Sequence, residues 1–147
     1  MSHSGFFGFF KRRKQVKALN QMFTSVMADV RIFEQRQDYK GAVIASFGGL
    51  TNIAGGLLEL ARAPYQTGRE FGFLVADRAN ISHEVMDEYL TSFEIARYTD
   101  AEITYDDYQE AVQRLDICFR GIREQGVEVV EPARTQTKTR KKIKRKA

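Results

Sequence analysis

The sequence predicts an all-α protein, a small bundle of about five helices, and three observations carry that reading. Apolar residues recur at steps of three and four, the spacing of one face of an α-helix. Helix-capping residues stand just before those runs. No segment shows the period-two alternation of a half-buried strand, and the chain has only two Pro in 147 residues, a length suited to a single core.

The elements follow in order. Between Lys11 and Gln35, residues Val16, Leu19, Phe23, Val26, Val30 and Phe33 share one face and predict the first helix. Asp38 is the expected N-cap of a second, whose stripe is Val43, Phe47, Leu50, Ala54, Leu57 and Ala61, with Pro64 at or just beyond its end. Thr67-x-x-Glu70 is a capping box, in which the Thr oxygen accepts from the Glu70 NH and the Glu carboxylate accepts from the Thr67 NH. It opens a short third helix reaching to about Arg78. Ser82 starts a fourth, with Val85, Met86, Tyr89, Phe93 and Ala96 inward. Thr104 starts the fifth, where Asp106 and Asp107 face the positive end of the helix dipole. Its stripe is Tyr108, Ala111, Val112, Leu115, Cys118, Phe119 and Ile122, and Gly126 is the expected C-cap. Residues 1–14 then form an aromatic and basic N-terminal segment, 15–126 the helical domain, and 127–147 a disordered basic tail.

A formal charge of +4 hides a segregation. Residues 1–17 hold five basic groups and no acid; residues 127–147 hold eight against Glu128 and Glu131. The remaining body keeps ten basic and seventeen acidic residues, a net −7. A polyanion should therefore be met by the termini. A lone Cys excludes an internal disulfide framework and fits a reducing compartment.

Four short motifs occur in order over about ninety residues: Asp38, Tyr39, Ala42 and Val43; Thr67, Glu70 and Phe71; Phe93, Glu94, Ala96, Arg97 and Tyr98; and Ile103, Thr104 and Asp107. On these residues the chain from about Asp38 to Gly126 resembles a helical domain of unknown function. That domain sits at the cytosolic C-terminus of bacterial and archaeal membrane proteins, often ones with transglutaminase-like domains. The resemblance implies a helical, membrane-adjacent module in the cytoplasm and an unidentified protein partner, and it implies no reaction. This chain departs from the pattern in lacking evident spans before the domain and in carrying a basic tail.

Several features could carry a function. Phe6, Phe7, Phe9 and Phe10 run directly into Lys11, Arg12, Arg13 and Lys14, the composition of an interfacial wedge for an anionic membrane surface. Folding back onto the bundle and plain disorder are the competing readings. In the tail, Lys138, Arg140, Lys141, Lys142, Lys144, Arg145 and Lys146 suit lipid or nucleic-acid phosphates. No aromatic accompanies them for base stacking. Arg97 is expected either to pair with Glu70 on another helix, Tyr98 covering the joint, or to stay solvated beside Glu94. Gly41, Gly48 and Gly55 recur every seven residues and suggest close helix packing, since no Lys-Ser/Thr follows to make a phosphate loop. Residues 41–58 carry no charge, but their stripe fits a core helix better than a membrane span. Cys118 lies on an apolar face and is expected in the core. No nucleophile set, metal-ligand spacing, cofactor motif or small-molecule site is recognisable. The expected role is an interaction or scaffold module held at the inner membrane face by basic ends; the alternative is a nucleic-acid- or ribosome-associated protein using its tail.

Overall fold

The computed structural model describes the backbone of residues 2–130 and the side chains of residues 17–125. Five helices follow one another: α1 (Ser2–Gln35), α2 (Tyr39–Leu57), α3 (Gly68–Ala79), α4 (His83–Tyr98) and α5 (Tyr105–Val130). There is no strand among the described residues, so the protein is all-α.

Local chemistry sets most of the starts. Asp38 accepts from the Gly41 NH at 2.8 Å. Thr67 and Glu70 close the capping box, with both bonds at 3.0 Å. Ser82 accepts from Glu84 and Val85. Thr104 and Asp107 cap each other reciprocally at 3.0 and 3.1 Å. Each cap satisfies helix-terminal amides that would otherwise lack partners.

Three boundaries differ from expectation. α2 ends at Leu57, so Ala61 lies exposed in the following loop and Pro64 falls well past the helix end. α1 starts at Ser2, so the backbone of residues 2–14 is one helix with the rest of α1. α5 runs through Gly126 to Val130, four residues into the stretch expected to be disordered. Residues 131–147, the remainder of that tail, lie outside the described residues.

α2 packs against α1, α4 and α5, and α3 closes the bundle against α4 and α5. Neighbours across each seam fix the directions. Gly41 and Gly49 of α2 face Phe33 and Val26 of α1, so α1 and α2 are antiparallel. Phe23 stacks on Phe119 at 4.2 Å, while the Tyr108 hydroxyl near the start of α5 donates to Glu34 near the end of α1 at 2.7 Å. α5 is therefore antiparallel to α1 and runs parallel to α2. Glu88 with Arg114, and Ile81 with Gly121, set α4 antiparallel to α5.

The interior is apolar and continuous. Leu50, Ile53, Phe71, Met86, Leu90, Leu115 and Ile122 are fully buried. The predicted stripes of α2, α4 and α5 are buried apart from Ala61 and the half-buried Val85 and Val112. On the α1 stripe only Leu19 and Val30 are buried, Phe23, Val26 and Phe33 are half-buried, and the Val16 side chain lies outside the described residues. One polar pair lies inside. Ser46 donates to the Val43 carbonyl at 2.7 Å, so its single proton is used and the Tyr89 hydroxyl donates to Ser46 Oγ, also at 2.7 Å.

Close helix approach depends on glycine, but not on the expected seven-residue set alone. A Cβ at Gly49 would sit 2.5 Å from Val26 Cγ1, and one at Gly72 would sit 2.8 Å from the Leu90 methyls. Gly41 is equally tight, its added Cβ lying 2.7 Å from Phe33. Gly48 has nothing within 4 Å and Gly55 meets only the Leu60 carbonyl at 3.6 Å, so those two do not mediate packing.

Candidate functional site

Part of the motif set gathers at one joint of the bundle, where the start of α3 meets the second half of α4, while Asp38 caps α2 and Thr104 and Asp107 cap α5. Phe93 stacks on Phe47 of α2 at 4.2 Å, and its ring edge lies 3.1 Å from the position a Cβ would take at Gly68. Phe71 and Ala96 are buried beside it. Lys40 at the start of α2 donates to the carbonyls of Ala96 and Thr99, at 3.1 and 2.9 Å, and so caps the end of α4 with positive charge. Thr104 and Asp107 make the cap of α5 already described. These residues cap helix ends and fill the core between them.

Both expected partnerships of Arg97 fail. Arg97 is exposed and lies over the Tyr98 ring, 5.4 Å from its centroid. Glu70 is occupied by the Thr67 NH in the capping box. Glu94 belongs to another arginine. Arg69 reaches from α3 to take both Glu94 oxygens at 3.0 Å, Thr91 Oγ1 at 3.1 Å and Asp87. Its guanidinium also lies over Phe73. Hydrogen bonds that it donates to Glu94 and then Asp87 raise its pKa further above the usual arginine range. Helical phase decides the matter. Residues 87, 91 and 94 share the α4 face turned toward α3, whereas Arg97 comes after α4 has passed the start of that helix.

Cys118 is fully buried, and burial pushes its thiol up to about 12. Tyr89 is raised as well, by complete burial. Tyr108 is raised by burial and by its bond to Glu34. Such shifts describe neutral groups held in a core. Among the described residues, no group of three His, Cys, Asp or Glu is placed to hold a metal ion. No helix there is long and apolar enough to cross a membrane.

The wedge residues Phe6, Phe7, Phe9, Phe10, Lys11, Arg12, Arg13 and Lys14 lie on the α1 backbone, but their side chains are outside the described residues. The tail residues Lys138 through Lys146 are outside them entirely. The described helices nevertheless fix where both segments attach. Because α1 and α5 are antiparallel, the start of α1 and the end of α5 occupy the same pole. The opposite pole carries the α4–α5 connection, where residues 99–107 hold Asp100, Glu102, Asp106 and Asp107, together with the bases Arg36 and Lys40 at the α1–α2 turn.

One further surface went unnoticed in the sequence. Along the α1–α5 seam runs a trough of about 600 Å³, floored by Phe23, Met27, Val112 and Phe119. Arg31, Arg120 and Arg123 stand along its edges, with Asp116 paired to Arg120 at 3.0 Å. On α5 the polar positions 113, 116, 120 and 123 recur at helical spacing beside the apolar stripe. That signal is readable in one dimension, but the opposite wall needs the pairing with α1. Against protein-family models, curated proteins and solved structures alike, the chain finds no match.

Proposed function

We propose that the protein is a non-enzymatic interaction module that docks on an anionic surface, foremost the cytoplasmic face of a membrane, through the pole where its two cationic ends meet. In this reading it is a module of the membrane-adjacent type that its motifs resemble. The supporting observation is the antiparallel packing of α1 against α5, reported by Phe23 on Phe119 and by Tyr108 on Glu34. Residues 1–17 and 127–147 together hold thirteen basic groups, and these attach at one end of the bundle. Each Lys or Arg near an anionic leaflet contributes about 1 kcal/mol, so engagement of half of them gives on the order of 6 kcal/mol. The body between the two ends, with a net charge of −7, is repelled by the same surface, which favours approach by the ends. Phe6, Phe7, Phe9 and Phe10 add apolar insertion to the electrostatic attraction.

Co-sedimentation with vesicles containing phosphatidylserine, against vesicles of phosphatidylcholine alone, tests this. Binding should require the anionic lipid and weaken when either residues 1–14 or residues 134–147 are removed. It should vanish near roughly 0.5 M salt, where screening acts over a few ångströms. Binding that ignores the N-terminal deletion but disappears with the tail, accompanied by tight RNA binding, would instead support the nucleic-acid reading.

A further inference from the structure

We infer that the trough between α1 and α5 receives an acidic amphipathic helix from a protein partner. This surface is separate from the pole that meets the membrane and does not depend on it. Charge is the first argument. The body, residues 18–126, holds seventeen acids and only ten bases. Three of those ten, Arg31, Arg120 and Arg123, stand around this one trough with Asp116 as the acid among its lining residues. The local sign is therefore opposite to that of the body. Lys17 lies seven and fourteen residues before Thr24 and Arg31, so helical phase puts it on the same edge and extends the basic rim.

Shape is the second argument. Phe23 and Met27 are one turn apart on α1, and Val112 and Phe119 two turns apart on α5, so the floor follows the helix axes. From Val112 to Arg123 the trough extends about 17 Å, the length of about three helical turns. Phe23, Met27 and Val112 are each half-exposed there, although Phe119 beneath them is buried. An open, straight channel with an apolar floor and charged walls is the shape used by helix-in-groove recognition. Leucine-like anchors at i, i+3, i+4 and i+7 of the partner would face the phenylalanines. Carboxylates flanking that stripe would meet arginines on both walls. The chain's own tail is a poor occupant, since Lys138 to Lys146 carry the same sign as the rim.

The test uses the full chain and a fluorescein-labelled peptide of about five helical turns, with Leu on one face and Glu flanking it. A scrambled peptide of identical composition is the comparison. Fluorescence anisotropy should show the patterned peptide binding about tenfold more tightly than the scrambled one. The double variant R31E/R123E should weaken it by about tenfold, and M27E should weaken it comparably. R62E/R97E makes the same change in net charge away from the trough and should leave binding unchanged. All four arginines are exposed, so circular-dichroism melts should show both double variants folded; should M27E unfold, the R31E/R123E comparison decides. Equal binding of the two peptides, or equal losses in the two double variants, would overturn the inference. So would a sedimentation-velocity dimer that R31E/R123E dissociates, because a second copy would then be the occupant.

Discussion

Arg69 holds two carboxylates of α4, Asp87 and Glu94, with one planar group. Removing it leaves those charges facing α3 without a partner, and the side chain is partly shielded from water, with about a third exposed. Arg69→Met should cost about 1–2 kcal/mol, a drop of several degrees in Tm for an ordered body of this size. Arg97→Met should stay within about 0.5 kcal/mol, because its contact is a solvent-facing stack on Tyr98. Parallel thermal melts of the two variants check the pair. In the sequence, Arg97 stood out because it sits in a recognisable motif next to a core stripe. Arg69 lies inside the capping box itself, between Thr67 and Glu70, where the local motif concealed a long-range role. Single residues were legible where their role is local, as for Ser82 or the buried Cys118, and illegible where it depends on which helix faces which.

Cys118 also gives a pH dependence. Its thiol is raised from an ordinary 9.0 to about 12, so the unfolded chain ionises first as pH rises. The stabilising difference is complete below about pH 9 and is lost as pH climbs toward 12. The loss approaches about 1.4 kcal/mol for each pH unit per group. Tyr89 and Tyr108 act in the same direction from higher starting values. Tm should therefore fall between about pH 9 and pH 11, less steeply in Cys118→Ala once its lower starting stability is allowed for. A Tm independent of pH across that range would mean that these groups are not buried as described.

At the scale of elements, α2 offers a contrast within two adjacent residues. Gly48 faces open space, so Gly48→Ala should gain about 0.5–1 kcal/mol from helix propensity. At Gly49 the new methyl would collide with both Val26 methyls, and a β-branched side chain has little rotamer freedom to retreat. Gly49→Ala should consequently lower Tm while Gly48→Ala raises it, and a pair of denaturation curves decides. Helix starts were readable because a cap is a local pattern of one or two side chains. Ends were harder. α1, α2 and α3 finish near Gln37, Glu59 and Asn80, each with a left-handed backbone at φ 59°, 55° and 57°, a conformation that glycine most often marks and that none of these residues announces. Gly126, in contrast, lies within α5, because glycine permits a left-handed stop without imposing one.

For the whole molecule, the composition already indicated an acidic body with two basic ends, but not whether those ends lie together or apart. Five helices allow either outcome. The deciding contacts, Phe23 with Phe119 and Glu34 with Tyr108, join residues whose helices are separated by three others in the chain. No one-dimensional pattern records such pairings. Once they are made, both basic segments attach at one end of a body whose net charge is acidic. The same seam forms the trough, so one helix pair supplies both the end where the two basic segments attach and the grooved side face.

Electron paramagnetic resonance between spin labels at Lys17→Cys and Gln125→Cys tests this arrangement most directly, since the buried, protonated Cys118 does not compete for label. Neighbouring helix axes lie about 8–10 Å apart, so the labels should be separated by on the order of 10–20 Å. A separation beyond about 30 Å, longer than α1 from Lys17 to Gln35, would put the cationic ends at opposite poles and contradict the account.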